Sequence, residues 1–132
     1  MRPAAVPPFR TLDPALATAE RLLTSGLSTV VSALPDEVAA TARLNAVLAT
    51  LGVGPRLVAS SGGWRVVHVT AAGRADELAT AAAGLATLVA VAGWTRVKRC
   101  ETCGDPFLDR TNGRTRRWCT RHRPNRRLST TR

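Results

Sequence analysis

Three cysteines and one histidine stand at metal-ligand spacing in the last third of this chain. Cys100 and Cys103 are separated by two residues, fifteen residues follow, and Cys119 and His122 are again separated by two. Two-residue spacing lets both side chains of a pair reach one ion from a tight turn, and Gly104 favours the left-handed turn that such a pair needs. The pattern predicts one Zn²⁺ bound by all four side chains.

The alternative interpretation is a redox-active Cys100–Cys103 pair with an incidental Cys119. Three cysteines are an odd number for disulfides, and no strand-then-helix pattern of the thioredoxin type surrounds Cys100. Four protein ligands leave no open coordination position, so the predicted zinc is structural. The apolar residues 106–108, together with Trp118, are expected to pack beside the metal.

Positive charge is concentrated around these ligands. The chain has 132 residues and a formal net charge of +10, but residues 1–94 contain seven arginines against six acids. Residues 95–132 contain twelve Lys or Arg against three acids, a net charge of +9. A nearly neutral body with a cationic end favours a polyanionic partner. The residues predicted to contact nucleic acid are Lys98, Arg99, Arg110, Arg114, Arg116, Arg117, Arg121, Arg123, Arg126 and Arg127.

Arginine side chains match phosphate oxygens and guanine edges, so the first hypothesis is a nucleic-acid-binding transcription regulator. DNA is the preferred ligand and RNA stays an alternative. The second hypothesis is a zinc-ribbon module that docks on an acidic protein partner. An enzyme is not expected, because the sequence contains no paired carboxylates, no nucleophile–base set and no phosphate-binding loop. His68 lies in an apolar run and is interpreted as a structural residue.

Helical patterns precede the cysteines. Asp13-Pro14 predicts a helix start, while residues 27–34 are compatible with helix or strand. Residues 35–37, Pro-Asp-Glu, predict the start of a second helix that ends at Gly52. Its predicted apolar stripe consists of Val38, Leu44, Val47, Leu48 and Leu51.

A hairpin and a long helix follow. Residues 56–60 and 64–70 are β-prone runs joined by Ser-Gly-Gly, which is typical of a hairpin. The next helix starts near Asp76-Glu77 and is rich in alanine on all sides, so it is expected to be the central, most buried helix.

These patterns predict an α+β fold, with a mainly helical N-terminal domain and one β-hairpin followed by a small structural zinc finger. The predicted divisions are a flexible leader over residues 1–11, an α+β domain over 12–95, the zinc finger over 96–127 and a flexible tail over 128–132. The hairpin and the Ala-rich helix of the N-terminal domain could form a homodimer or bind a small apolar effector, but a simple packed core is the preferred interpretation.

The sequence predicts a cytoplasmic protein with no membrane partner, associated with the nucleoid if it binds DNA. No apolar run reaches the length that spans a bilayer, and the N-terminus lacks the apolar region of a signal peptide. Cysteines in this compartment are expected to be reduced or metal-bound.

The C-terminal residues resemble the CGNR-type zinc finger. The likeness is carried by residues 96–100 (Arg-Val-Lys-Arg-Cys), by Cys103-Gly104, by residues 107–110 (Phe-Leu-Asp-Arg), and by residues 116–119 (Arg-Arg-Trp-Cys) with Asn125-Arg126. Residues 43–95 are similar to the later part of the ABATE-type domain that usually precedes this finger. In all, the resemblance covers roughly residues 35–127.

This resemblance implies a bacterial, stress-related transcription regulator with an ABATE-like N-terminal domain. The family's Cys-Gly-Asn-Arg motif is replaced here by Arg-Pro-Asn-Arg at residues 123–126, so its cysteine is missing. His122, one position earlier, is therefore expected to serve as the fourth metal ligand.

Overall fold

The computed structural model describes residues 7–111 and 113–122. Its order of elements confirms the predicted α+β class, with four α-helices, a hairpin and a second small sheet. The elements are α1 (Pro7–Leu22), α2 (Ser28–Ser32), α3 (Glu37–Leu51), β1 (Gly54–Ser60), β2 (Gly63–Val69), α4 (Glu77–Ala92), a 3₁₀ turn (Trp94–Arg96), β3 (Val97–Arg99) and β4 (Pro106–Leu108).

Helix α1 begins earlier than the sequence suggests. The prediction of a start at Asp13-Pro14 is wrong, because the helix begins at Pro7 and runs through Pro14. A proline inside a helix removes one backbone hydrogen bond, and packing of the following turns, with Leu16 and Ala19 fully buried, offsets that loss. Residues 7–11, assigned to the leader, are therefore helical, and residues 1–6 and 123–132 lie outside the described residues.

The two helices that follow have clear boundaries. Residues 27–34, left open between helix and strand, contain the helix α2. In α3, the Asp36 carboxylate accepts a hydrogen bond of 3.0 Å from the Ala39 N–H, and Gly52 ends the helix in a left-handed conformation. The predicted stripe is wrong at Val38, which is 82% exposed. Val38 lies six residues before the buried Leu44, roughly 120° away around the helix axis.

Helix α4 is the centre of the molecule, as predicted. It contacts α1, α3, the hairpin and the 3₁₀ turn. Its start is also as predicted, because Asp76 accepts a hydrogen bond of 2.9 Å from the Ala79 N–H. Small side chains on several faces let neighbouring elements approach its backbone closely. The buried residues of α4 are Ala79, Ala81, Ala82, Ala83, Gly84, Leu85 and Leu88.

The predicted hairpin is present. Strands β1 and β2 pair antiparallel from Gly54 opposite Val69 to Ser60 opposite Gly63. The second sheet, β3 with β4, leads from the 3₁₀ turn into the cysteine-rich segment. Trp94, at the start of that turn, is buried and donates its indole N–H to the Thr41 hydroxyl at 3.0 Å. In the described part of the chain, no helix combines the length and apolar character that crossing a bilayer requires.

A close contact between α1 and α4 yields a stability prediction. A Cβ added at Gly84 would lie 2.9 Å from the Ala15 Cβ and 3.1 Å from the Ala15 carbonyl oxygen. Gly84→Ala should therefore push α1 away from α4 and lower the free energy of unfolding by about 1–3 kcal/mol, despite the higher helix propensity of alanine. Urea denaturation measures this change. Gly62→Ala is the control, because a Cβ there meets nothing within 4 Å; equal stability of both variants would contradict the prediction.

Candidate metal centre and its arginine-rich surface

The four predicted ligands are brought together by two short turns. The first joins β3 to β4, where the Cys100 N–H donates to the Asp105 carbonyl at 2.8 Å and Gly104 adopts φ of +79°. The second closes with the His122 N–H donating to the Cys119 carbonyl at 3.1 Å. A backbone hydrogen bond of 3.0 Å from the Glu101 N–H to the Arg117 carbonyl joins the two turns.

The ligand atoms form one compact group. The three Sγ atoms and a ring nitrogen of His122 all lie within 4.8 Å of one another. Individual separations are 3.7 Å from Cys103 Sγ to Cys119 Sγ, 3.7 Å from Cys100 Sγ to His122 Nδ1, and 3.2 Å from Cys119 Sγ to His122 Nδ1. This cluster could hold a metal ion, and it contains all four residues that the spacing predicts.

Local hydrogen bonds favour the thiolate forms of Cys100 and Cys119, whereas the pKa of Cys103 is raised. A backbone hydrogen bond from Asp105 opposes this rise in the pKa of Cys103, but desolvation and hydrogen bonds with Cys119 and Cys100 outweigh it. Burial opposes ionisation of Cys100, but backbone N–H groups that include those of Cys119 and Cys103 hydrogen-bond its sulfur and lower its pKa to about 6. Burial likewise opposes ionisation of Cys119, yet the hydrogen bond from His122 lowers its pKa below the ordinary value. The same hydrogen bond raises the pKa of His122.

Apolar contacts support one side of the cluster. Phe107 is buried with Cys100 and Cys119, and Trp118 packs against them, as predicted. Leu108 differs from the prediction, because its side chain joins the main core of the helical domain. The reason is that side chains alternate along a strand. Neighbouring residues of β4 therefore face opposite sides, and Phe107 contacts the Cys/His cluster while Leu108 contacts the helices.

A buried carboxylate, Asp109, organises the loop between the two ligand pairs. Its side chain is fully buried and accepts hydrogen bonds from Lys98 Nζ at 2.7 Å, from the Thr111 N–H at 2.9 Å and from the Arg116 N–H at 3.2 Å. Burial alone would raise the pKa of Asp109, but the hydrogen bonds from Lys98 and Thr111 hold it below the ordinary value. Asp109 is therefore a charged group inside the module.

Two of the cations predicted to contact nucleic acid hold this loop in place. Lys98 Nζ also donates to the carbonyl oxygens of Arg114 at 2.6 Å and Arg116 at 3.0 Å. The Arg116 side chain is 8% exposed, donates to the carbonyls of Leu108 and Trp118, and stacks over the Phe107 ring at 4.5 Å. Both groups stabilise the fold of the loop.

The cysteine-rich module, residues 96–122, is attached to the helical domain through Glu20 of α1. Its carboxylate accepts a hydrogen bond of 3.2 Å from the Leu108 N–H and forms ion pairs with Arg116 at 3.2 Å and Arg110 at 3.6 Å. On another side, Arg99 donates to the Val31 carbonyl at the end of α2, at 3.4 Å. Polar contacts from two helices therefore fix the orientation of the module.

The remaining described cations lie at the surface. Arg117 forms a bidentate pair with Glu101 and lies over the Trp118 ring, while Arg121 pairs with Asp105 at 2.7 Å. Arg114 is exposed and adopts φ of +56°. The other predicted contacts, Arg123, Arg126 and Arg127, lie outside the described residues.

The structure gives roles to three charged residues that the sequence does not identify as site residues. Asp109 enters the sequence analysis only in the charge count and in the likeness over residues 107–110, although an acid directly after the apolar pair 107–108 and inside a cationic segment indicates a structural ion pair. Arg96 is buried and donates to the carbonyls of Asp109 and Thr111. The residues around Glu20 do not indicate its role, because its partners are 88 or more residues away along the chain.

Comparisons with known proteins do not place the chain in a family. No protein-family profile matches it, and no curated protein sequence is significantly similar to it.

The Asp109 network predicts unequal effects for two similar substitutions. Asp109→Asn leaves Lys98 beside a neutral group in a largely buried site and should lower the free energy of unfolding by about 2–4 kcal/mol. Asp105→Asn removes an exposed ion pair and should cost about 0–1 kcal/mol. Both variants retain side-chain size, and thermal or urea unfolding measures the difference. A loss for Asp109→Asn no greater than that for Asp105→Asn would contradict the assignment of Asp109 as the organising group.

Proposed function

We propose that this protein is a nucleic-acid-binding regulator in which a structural zinc ion holds an arginine-rich module in shape. The observation that carries the proposal is the coincidence of a closed Cys₃His cluster with a net charge of +9 over residues 95–132. DNA is the proposed ligand, and transcription regulation is the role that the resemblance to CGNR-type proteins implies.

The donor set and its spacing support zinc as the metal. A tetrahedral zinc with bonds of about 2.3 Å to sulfur and about 2.0 Å to nitrogen sets sulfur atoms about 3.8 Å apart and sulfur and nitrogen about 3.5 Å apart. The Sγ–Sγ separation of Cys103 and Cys119 is 3.7 Å, and the two sulfur–nitrogen separations to His122 are 3.2 and 3.7 Å. Four protein ligands complete a tetrahedron, so the proposed role of the ion is structural.

Zinc would act on the surface by holding two chain segments together. Residues 100–103 and 119–122 carry the ligands, and the exposed Arg117 and Arg121 belong to or adjoin the second segment. A segment this short buries little apolar surface, so metal binding should supply much of its folding free energy. We infer that the arrangement of these arginines depends on the bound ion.

The exposed arginines are the proposed phosphate contacts. Arg114, Arg117 and Arg121 are exposed, whereas Lys98 and Arg116 are assigned to the internal network of the loop. Each phosphate that an arginine neutralises releases condensed counterions, which makes the affinity fall with salt concentration. Arg123, Arg126 and Arg127, which lie outside the described residues, add three further positive charges to the sequence of this segment.

Two acids moderate this surface. Glu101 and Asp105 pair with Arg117 and Arg121, so a phosphate must displace or share these partners. Exposed ion pairs of this kind contribute little to stability, so the exchange costs little. The same acids would repel phosphates approaching in the wrong orientation, which restricts how the module can sit on a nucleic acid.

The zinc assignment predicts the effect of removing a ligand. Cys103→Ala and His122→Ala should each lose tight zinc binding and unfold residues 98–127, because a three-ligand site cannot hold the two turns together. Metal content by elemental analysis and NMR spectra of the module measure both effects. Cys103 is exposed, so its replacement leaves no buried cavity as a competing explanation. Retention of one tightly bound zinc ion in both variants would exclude this ligand set.

The nucleic-acid proposal predicts salt-dependent binding that needs the metal. Fluorescence anisotropy with mixed-sequence duplex DNA should give micromolar or tighter binding that weakens steeply with salt and is lost on chelation. Arg114→Gln should weaken binding about 3–10-fold and reduce the salt slope by about one. The matched control is Arg65→Gln, an exposed arginine on β2 that should leave the affinity unchanged.

Other results of that experiment would redirect the assignment. Preference for single-stranded RNA over duplex DNA in competition would replace DNA with RNA as the ligand. Weak binding to both at low salt would contradict the proposal, and the zinc-ribbon module docking on an acidic protein would then be the favoured function.

A further inference from the structure

The hairpin carries an exposed apolar surface that is separate from the cysteine-rich module. In β1 and β2, Leu57 lies directly opposite Val66, and Ala59 lies opposite Trp64. Because side chains alternate along a strand, all four belong to one face of the sheet. Leu57, Trp64 and Val66 are 65%, 73% and 55% exposed. We call these four residues, together with Pro55 and the half-buried His68 opposite it, the hairpin face.

The opposite face of the hairpin is the one that meets the body of the protein. Val69 at the end of β2 is buried, and α4 contacts β2. The strand arginines, Arg56 and Arg65, alternate onto this opposite face, and the Arg56 guanidinium donates to the Gly73 carbonyl at 3.1 Å. The hairpin face therefore contains no charged arginine, lysine or acid side chain.

The size of the hairpin face is that of an interaction site. A tryptophan side chain can bury about 150–250 Å², so three large side chains exposed to this extent present roughly 400 Å² of apolar surface. Contiguous patches of about 300–600 Å² on a protein surface are often functional. A sheet of two strands also gains stability when one of its faces packs against another element.

We propose that the hairpin face is a homodimer interface, covered by the same face of a second copy of this chain. Two copies would bury about 800 Å² from the three large side chains alone, and the surrounding surface would bring the total to the roughly 1,000 Å² that a specific interface needs. A two-fold axis places a mainly apolar face on an identical one, so no arginine, lysine or acid of this face is buried without a partner. A nucleic acid fits this face poorly, because phosphate contacts require cations.

Sedimentation equilibrium of the 132-residue chain tests this proposal in the absence of nucleic acid. Wild-type protein should be a dimer of 14.0 kDa subunits that dissociates on dilution. Trp64→Glu should raise the dimer dissociation constant at least 100-fold, because Trp64 is the largest side chain of the face, tryptophan is a typical dominant contact, and a buried charge opposes association. Leu57→Ser, a second variant on the same face, should weaken the dimer in the same direction.

The matched control is Val38→Glu, an equally apolar and 82% exposed position on α3, away from the hairpin. It should leave the dissociation constant unchanged. Acrylamide quenching gives a second readout, since Trp94 is buried and Trp118 half-buried, so most of the quenchable fluorescence comes from Trp64 and should fall on dimer formation. Circular dichroism identifies any variant that has lost its fold.

A wild-type chain that stays monomeric up to millimolar concentration would overturn the proposal. So would a dimer that folded Trp64→Glu and Leu57→Ser leave intact, or one that Val38→Glu weakens as strongly. The proposal does not depend on nucleic-acid binding, so failure of either leaves the other standing.

Discussion

The buried negative charge of Asp109 is the constraint on which the cysteine-rich region depends. A carboxylate removed from water must be compensated by hydrogen bonds and a cation. Lys98 and the backbone of residues 111 and 116 provide this compensation. These contacts hold β3, β4 and the following loop around the Asp109 carboxylate. The second ligand turn, residues 119–122, can then meet the first at metal-binding distance.

Ion pairs and a hydrogen bond of a second carboxylate attach the cysteine-rich module to the helical domain. Glu20 compensates Arg116 and Arg110, and its oxygen also satisfies the Leu108 N–H. The cysteine-rich module held in this way is part of the folded domain, and these contacts set its orientation relative to α1. The positive charge of the segment is thus divided, with some cations used for folding and the remainder left at the surface.

Patterns of local origin were predicted well. Asp36 and Asp76 cap their helices, Gly52 ends α3, and the turn between residues 60 and 63 closes the hairpin, because each depends on a few adjacent residues. Errors arose where distant packing decided the outcome. Helix α1 continues through Pro14 since its buried face packs on α4, and Val38 is exposed because the core selects another side of α3.

The sequence by itself determined which four side chains form the Cys/His cluster, since residue type and two-residue spacing restrict which atoms can converge within one turn. It also determined the net charge of the C-terminal region. Only the tertiary structure decided which cations are internal. The sequence around Lys98, Arg116 and Arg121 does not show that the first two hold the loop and that Arg121 is exposed. Their partners, Asp109, Glu20 and Asp105, lie 11 to 96 positions away along the chain. Long-range electrostatic compensation of this kind leaves no periodic pattern, so it becomes visible only in the folded chain.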